Sequence, residues 1–363
     1  MDPVVHFSRT YAEARDKFTA AATARAFQSE AHVLPEYRGA SNETLATDVA
    51  TLKPTPSEAV LMLTSGTHGI EGYCGSGIQV ALMQDDDFLS AARQARVDVL
   101  FVHAVNPHGF SHGRRVNEDN VDINRNFCDF SRPLPVNAGY SNIHAMLVPS
   151  TWPPPWSNEA KMAISIVTLG KRRFQAAVTG GQYAVPDGLF YGGVRPTWSN
   201  RTLRAIVATH CATRKRIGWI DLHTGLGPRG RGEKIFLGRN EAADFARARE
   251  WWGEEVTSMF DGSSSSALVT GLICNVVYDE CDGAEYTGIT LEYGTVPVRR
   301  ALHALRGDHW LANHPEAPRA QHAAIRQEMR DAFYIDAADW KQAVYAQARA
   351  AALRALAKLS ASA

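Results

Sequence analysis

The chain has 363 residues, enough to bury a substantial core in one large domain or two ordinary ones. Lys and Arg together number 38, as do Asp and Glu, so no overall charge favours nucleic acid or a membrane surface as a partner. Hydrophobic residues make up 45% of the chain, as in soluble globular proteins, and no apolar run approaches the length of about 18 residues that a spanning helix needs.

The cysteines and the N-terminal sequence bear on the cellular compartment. The five cysteines form an odd count at irregular spacing, which fits neither a disulfide framework nor CxxC metal pairs. The start, Met1-Asp2-Pro3-Val4-Val5-His6, has no basic region followed by an apolar stretch, so no signal peptide is evident. These features predict a cytoplasmic protein, and they leave self-association into a homo-oligomer open.

The first third of the chain alternates helical and strand-like segments. The predicted elements are helices over 11–27 and 75–83 and strands over 44–52, 59–63 and 97–102, with a break at Pro54 and Pro56. The run Ala59–Leu63 is short, apolar and bounded by turn residues, as in a strand buried on both faces. Strand, helix and strand at this spacing are typical of a βαβ unit and predict a mostly parallel sheet.

Residues 106–157 show almost no periodic pattern. The first half of this region is rich in Asn, Arg and Gly, and Trp152-Pro153-Pro154-Pro155-Trp156 is too stiff for a helix or a central strand. A region of this length without regular structure is usually functional or disordered. Its aromatic residues and prolines favour an ordered loop.

The remaining sequence alternates again and then turns helical. The predicted elements are helices over 158–175, 200–214 and 242–260, strands over 217–222, 234–237, 272–278 and 288–292, and helices beyond Pro297 that include an Ala-rich one over 338–359. The predicted fold class is therefore α/β: a single domain over 1–335 with a mixed, mostly parallel twisted sheet flanked by helices. Residues 336–363 form a helical C-terminal extension packed on it.

Three apolar strands end in ionisable residues, namely His68 with Glu71, His223, and Glu292. Because ligands of open α/β sheets bind outside the carboxyl ends of the strands, these residues can share one site. Two His and one Glu with an open fourth position form a known catalytic zinc set. Taken alone, His68 and Glu71 are more simply explained as part of a polar turn, His223 as a satisfied buried histidine, and Glu292 as a salt-bridge partner or helix cap. Their joint placement at strand ends predicts a site for one zinc ion.

Four motifs carry a resemblance to a known family. They are His68-Gly69-Ile70-Glu71, Val121-Asp122-Ile123-Asn124-Arg125-Asn126-Phe127, Asp221-Leu222-His223 and Thr290-Leu291-Glu292. Their order and spacing resemble the zinc carboxypeptidase superfamily, which includes carboxypeptidase A-like peptidases and the aspartoacylase and succinylglutamate desuccinylase deacylases. The resemblance extends from about Ala59 to Thr295 and implies a zinc carboxypeptidase-like (phosphorylase/hydrolase-like) fold.

The resemblance also implies roles for the residues at the strand ends. His68, Glu71 and His223 would be the zinc ligands, and Glu292 the general base and acid. Zinc lowers the pKa of a bound water to about 7. A further carboxylate can take the proton of that water and pass it to the leaving amine.

Substrate binding is implied for the middle motif and for an arginine upstream of it. Asn124 and Arg125 match the pair that holds the terminal carboxylate in carboxypeptidases, and a guanidinium fork suits a carboxylate. The family uses another arginine to stabilise the oxyanion. Arg114 and Arg115 both fit that position, and we favour Arg115.

Other assignments stay open. Asp221 precedes His223 by two residues, so it either orients that ring or caps a neighbouring turn. Carboxypeptidases place a tyrosine on a mobile loop near the catalytic Glu; Tyr278 and Tyr286 are both candidates for substrate binding, and core packing is the alternative for each. His103, His108 and His112 are close enough in sequence for a second metal to be considered.

The predicted function is zinc-dependent hydrolysis of an amide bond next to a free carboxylate, in a small molecule or a peptide. The motifs are mixed: Asn106-Pro107-His108-Gly109-Phe110 resembles the carboxypeptidase branch, whereas the segments around His223 and Glu292 resemble the deacylases. The alternatives are an N-acyl amino acid deacylase and a non-catalytic protein that binds metal and carboxylate on the same fold. A GxGxxG match over Gly225–Gly230 precedes a predicted strand where a dinucleotide site needs a helix, so we set it aside.

Overall fold

The computed structural model describes residues 2–53 and 57–360, so the predicted break at Pro54 and Pro56 and the last three residues of the extension lie outside the described ranges. In these ranges the strands are β1 (Gln28–Arg38), β2 (Thr44–Leu52), β3 (Ala59–Ser65), β4 (Asp98–His103), β5 (Arg216–Arg229), β6 (Gly232–Phe236) and β7 (Glu285–Gly294). The helices are α1 (Tyr11–Ala24), α2 (Gly72–Met83), α3 (Asp86–Ala95), α4 (Pro107–His112), α5 (Ala138–Leu147), α6 (Trp156–Leu169), α7 (Lys171–Thr179), α8 (Trp198–His210), α9 (Ala242–Trp252), α10 (Asn275–Glu280), α11 (Val298–Asn313), α12 (Arg319–Phe333) and α13 (Ala338–Ser360). Short 3-10 helices lie at Pro3–His6, Gly69–Glu71 and Ile123–Arg125.

The described strands form one mixed sheet with the order β1-β2-β4-β3-β5-β7-β6. Strand β3 pairs in parallel with β4 and β5, and β5 pairs in parallel with β7. The outer pairs, β1 with β2, β2 with β4 and β6 with β7, are antiparallel. The predicted α/β class with a mixed sheet, parallel in its middle and flanked by helices, is confirmed.

The middle strands are buried on both faces, as their continuous apolar runs predict. On β3, Leu61 and Leu63 point into one hydrophobic core, whereas Val60 and Met62 point into a second core on the opposite face. Such a strand has no polar face, which explains why it reads as an unbroken apolar run. Among the described helices, none is both long enough and apolar enough to cross a bilayer.

Helix α13 covers part of the larger core. Trp340 is fully buried, and its indole N–H donates to the carbonyl of Gly294 at the end of β7 over 3.0 Å. Leu359, at the other end of the helix, packs against Gly218 of β5. The domain boundary at residue 335 remains a prediction.

Several elements differ from those predicted. Strand β1 was not predicted, because only Leu34 of its residues is buried and an exposed edge strand has no clear alternation. The predicted strand over 272–278 is wrong: a turn leads into α10 there, and a short apolar run does not distinguish buried helix from strand. The predicted helix over 158–175 is divided at Gly170, whose φ of 78° ends α6. Helix α5 lies within the region predicted to be irregular.

Candidate active site

Register brings the ends of three parallel strands together. Thr64 of β3 is paired with Asp221 of β5, and His223 of β5 is paired with Glu292 of β7. The turn that carries His68 and Glu71 follows β3 directly. The carboxyl ends of β3, β5 and β7 therefore place these residues at one edge of the sheet, as predicted.

The turn after β3 is held against the Arg114–Arg115 segment. The backbone N–H of Gly69 donates to the carbonyl of Arg115 over 3.0 Å, and that of Ile70 donates to the carbonyl of Arg114 over 2.8 Å. A Cβ on Gly69 would lie 2.1 Å from the carbonyl carbon of Gly109, so α4 approaches this turn more closely than any side chain permits. These contacts fix the backbone that positions His68 and Glu71.

Three buried side chains converge at the strand ends. His68 Nδ1 lies 3.0 Å from Glu71 Oε1, and His223 Nδ1 lies 3.1 Å from both Glu71 Oε2 and His68 Nδ1. In the described part of the chain, these three residues form the one group of at least three His, Cys, Asp or Glu side chains able to share a metal ion. His103, His108 and His112 do not form a second such group.

Asp221 fixes the outer nitrogen of His223. One carboxylate oxygen lies 2.6 Å from His223 Nε2, and the other accepts hydrogen bonds from the hydroxyls of Thr64 (2.5 Å) and Thr67 (2.9 Å). A carboxylate against one ring nitrogen turns the other toward the ligand site, an arrangement common around metals. Asp221 therefore orients the ring, which the sequence had left undecided.

Asp122 lies beside the other histidine, and sequence reasoning did not assign it a role. Its carboxylate lies 3.2 Å from His68 Nε2 and accepts a hydrogen bond from Arg115 Nε over 3.1 Å. Burial alone would raise the pKa of Asp122, but the charges of Arg115 and Arg125 hold it well below its usual range. Its position two residues before Asn124 in the quoted motif was the signal available in the sequence.

The donor set fits a divalent cation. Two imidazole nitrogens and a carboxylate face one another inside the protein, and this is a ligand set that suits zinc. Burial would raise the pKa of Glu71, but His68 and His223 hold it below its usual range. Burial would lower the pKa of His223, but Asp221 and Glu71 raise it well above its usual range. The cluster thus attracts positive charge, whether as a proton or as a metal ion.

Glu292 is buried beside the cluster. Its Oε1 accepts a hydrogen bond from the backbone N–H of Leu226 over 3.0 Å. Burial, together with the negative charge of Glu71, raises the pKa of Glu292 to about 8. A carboxyl group with a pKa near neutrality can both take up and release a proton under physiological conditions.

The structure distinguishes the two candidate arginines. Arg115 donates from Nη1 to Glu71 Oε1 over 3.0 Å, and its Nη2 lies 2.7 Å from His68 Nε2. Burial would lower the pKa of Arg115, but Asp122 and Glu71 raise it, so it is a stable cation. Arg114 instead donates to Asp308 over 3.0 Å, away from the cluster. Arg115 is therefore the arginine that reaches the candidate metal site formed by His68, Glu71 and His223.

Asn124 and Arg125 are held by backbone contacts that leave donors available. The side-chain oxygen of Asn124 accepts from the N–H of Ile273 over 2.9 Å, which directs its amide nitrogen elsewhere. Arg125 donates from Nε (3.2 Å) and Nη2 (2.8 Å) to the carbonyl of Thr179, and from Nη1 (2.6 Å) to that of Asn124. These bonds use three of the five guanidinium N–H groups, so two make no hydrogen bond within the described part of the chain.

The two candidate tyrosines are engaged in the core. The Tyr286 hydroxyl donates to the carbonyl of Leu237 over 2.7 Å, and that of Tyr278 accepts from the N–H of Arg239 over 3.0 Å. Tyr286 lies on the same strand as Glu292 but six positions earlier, which corresponds to about 20 Å along a strand. The structure does not bring these tyrosines to the cluster, because both pack in the second core.

The GxGxxG match covers the last five residues of β5 and Gly230, and β6 follows it, so no helix opens there to hold a dinucleotide phosphate. Over residues 7–347 the chain matches the model of a family described as "Protein of unknown function (DUF2817)". No curated protein matches the sequence.

Several solved structures are similar to this chain at low sequence identity. Thrombin activatable fibrinolysis inhibitor is 12% identical, with a TM-score of 0.51 over 98% of this chain and 75% of that one. A metallo-carboxypeptidase from Burkholderia cenocepacia is 11% identical (TM-score 0.45; 95% and 68% covered), and an aspartoacylase family protein from Mesorhizobium loti is 15% identical (0.36; 79% and 66%). The protein is thus a member of the DUF2817 family, and its fold is similar to that of thrombin activatable fibrinolysis inhibitor.

Proposed function

We propose that the protein is a zinc-dependent hydrolase of amide bonds next to a free carboxylate, with a carboxypeptidase-like mechanism. The observation that carries the proposal is the convergence of His68, Glu71 and His223, with Glu292 in register beside His223. A non-catalytic metal-binding protein would need the three ligands but would have no use for a further buried carboxyl group, that of Glu292, beside them.

His68, Glu71 and His223 would hold one zinc ion, which when bound supplies a polarised water as nucleophile. Glu292 takes the proton of the attacking water and delivers it to the leaving amine. Its Oε1 is held by the Leu226 N–H, so Oε2 is the oxygen free to exchange the proton. The pKa of about 8 would fall when a cation binds nearby, since positive charge favours the carboxylate.

Arg115 and the Asn124–Arg125 pair bind the two ends of the reacting group. Arg115 donates hydrogen bonds to the oxygen of the scissile carbonyl as negative charge develops on it. The free donors of Asn124 and Arg125 bind the carboxylate next to the scissile amide. Both dipeptides and N-acyl amino acids carry this arrangement, so peptidase and deacylase activities are the two forms that the proposal takes.

The first test is a hydrolysis screen of dipeptides and N-acyl amino acids by the purified protein, alongside elemental analysis. We expect about one zinc per chain, and hydrolysis that stops when a chelator removes the metal and returns when zinc is added. Substrates with an amidated carboxylate should react poorly. Stoichiometric zinc without hydrolysis of any substrate would favour the non-catalytic alternative, and the absence of bound transition metal would exclude the proposal.

The second test is the variant Glu292→Gln, which keeps the size of the side chain and removes its basicity. We expect kcat to fall by about 100- to 10,000-fold while zinc content is unchanged. The matched control is Glu285→Gln, the same change at the exposed start of the same strand, which should retain full activity. Equal activity of the two variants would rule out the role of Glu292.

A further inference from the structure

Phe190 has a backbone conformation that its residue type rarely adopts. It lies in the segment between α7 and α8, is only 6% exposed, and has a φ of 53°. The left-handed region is costly for a bulky side chain and is usually occupied by glycine. Residues that keep such a conformation cluster at functional sites, where surrounding contacts hold them in place.

Those contacts tie the Phe190 segment to the motif that contains Asp122 and Arg125. The carbonyl of Phe190 accepts from the N–H of Gln182 over 3.1 Å, and the carbonyl of Tyr191 accepts from the N–H of Asp122 over 2.8 Å. The Phe190 backbone is therefore fixed relative to the carboxylate that orients His68.

The aromatic ring of Phe190 contacts both functional arginines. The guanidinium carbon of Arg115 lies 5.3 Å from the ring centroid, and that of Arg125 lies 5.6 Å from it. The face of an aromatic ring attracts cations within about 6 Å, more strongly when water is excluded. Because both distances end at one centroid, the two guanidinium carbons are at most 10.9 Å apart, the sum of 5.3 and 5.6 Å.

The same arginines also share a carboxylate. Asp122 Oδ2 accepts from Arg115 Nε over 3.1 Å, and Oδ1 lies 3.9 Å from Arg125 Nη1. Two buried cations that repel each other are thus held near one another by one carboxylate and one ring. Asp122 supplies the charge, whereas the ring supplies a contact surface that a shorter aliphatic side chain lacks.

We propose that Phe190 is a positioning residue that fixes the spacing between Arg115 and Arg125. The inference rests on the proposed function, in which Arg115 binds the scissile carbonyl and Arg125 the adjacent carboxylate. A fixed spacing favours substrates whose carboxylate is on the α-carbon that bears the scissile amide nitrogen. Substrates with one additional methylene between nitrogen and carboxylate present the two groups at a different separation and should react more slowly.

The test compares Phe190→Leu and Phe190→Gly with the unchanged protein, all loaded with zinc. The substrates are an N-acetylated α-amino acid and its β-amino acid counterpart. We expect Phe190→Leu to lower kcat/KM for the α-substrate about tenfold and to narrow the preference for α over β, with zinc content unchanged. The control is Phe245→Leu, which removes a ring 5.6 Å from Arg249 on α9 and should leave both values unchanged.

The Phe190→Gly variant distinguishes a role of the aromatic ring from a role of the backbone conformation. Glycine accepts a φ of 53° without strain, so a role confined to the backbone conformation predicts that this variant keeps the activity and the α-preference. Positioning by the ring predicts that it lowers kcat/KM and narrows the α-preference at least as much as Phe190→Leu does. Retention of the α-preference in both variants would overturn the inference.

A readout without turnover separates this inference from the proposed function. Solvent exchange of the Nε protons of Arg115 and Arg125, followed by nitrogen-15 NMR, should become at least several-fold faster in Phe190→Leu than in Phe245→Leu. Unchanged exchange would overturn the inference even if the enzyme is active. Faster exchange in a protein that hydrolyses no substrate would support the positioning of the arginines and reject the hydrolase proposal alone.

Discussion

Each histidine of the candidate metal site has its outer nitrogen against a buried carboxylate, Asp221 for His223 and Asp122 for His68. These carboxylates orient the rings, so their removal should weaken metal binding without removing a ligand. We predict that Asp221→Asn lowers zinc affinity about 10- to 100-fold, as measured by competition with a chromophoric chelator.

The control for this prediction is Asp98→Asn at the start of β4. Asp98 is also buried and paired with an arginine, Arg214, at 2.8 Å, but it lies at the opposite edge of the sheet from the candidate metal site. The Asp98→Asn variant should leave zinc affinity unchanged. If both variants bind zinc equally well, Asp221 serves only to hold Thr64 and Thr67.

Residue types at strand ends were enough to predict which ligands converge, but not which neighbours orient them. His68, Glu71 and His223 stand out because each follows an apolar strand and is chemically suited to a metal. Arg114 and Arg115 are adjacent and identical in type, so only the fold shows that the first turns to Asp308 and the second to Glu71. Tyr278 and Tyr286 were predicted as substrate-binding residues because of their chemistry. Their positions on α10 and β7 instead place them in the second core.

At the scale of elements, the turn that carries His68 and Glu71 depends on its close contact with α4. A methyl group on Gly69 would overlap backbone atoms of Gly109 and Phe110, at 2.1 and 2.2 Å, so the turn would have to move. We predict that Gly69→Ala lowers the free energy of unfolding by about 1–3 kcal/mol and weakens zinc binding. Urea denaturation with chelator present and zinc titration measure the two effects.

Gly139→Ala is the control for this prediction. Gly139 is exposed at the start of α5, where the added methyl group would meet the Cβ of Ala177 at 3.0 Å rather than backbone. The Gly139→Ala variant should change neither the free energy of unfolding nor the zinc affinity appreciably. Normal zinc affinity in Gly69→Ala would show that the turn can shift without disturbing its ligands.

Buried strands were predicted well because packing on two faces requires a continuous apolar run. Strand β2 has the predicted bounds, Thr44–Leu52, and β3 extends only two residues beyond those predicted. The errors occur where packing is one-sided or local geometry decides: the exposed β1, the division at Gly170, and the turn into α10. These depend on tertiary contacts that a local pattern does not contain.

At the scale of the whole molecule, buried histidines predict acid sensitivity. Burial lowers the pKa of His103 to about 4, of His108 to about 3 and of His309 to about 4. The unfolded chain takes up protons at these residues near pH 6.5, whereas the folded chain does not. The free energy of unfolding of the metal-free protein should therefore fall as the pH is lowered from about 6.5 to 4.

His103→Gln tests this prediction by removing one of the three groups. The variant should show a smaller difference in free energy of unfolding between pH 7 and pH 5, measured by chemical denaturation with chelator present. His322→Gln, a half-exposed position on α12, is the control and should behave like the unchanged protein. An identical pH dependence in both variants would contradict the contribution of His103.

The position of α13 has a consequence for how the chain folds during its synthesis. Trp340 and Leu359 cover β7 and β5, and the carbonyl of Ala351 accepts the indole N–H of Trp252 over 3.0 Å. The central strands are made earlier, yet the part of their surface that α13 covers stays open to water until residue 360 has left the ribosome. During that interval the nascent chain exposes apolar surface to chaperones and to neighbouring chains.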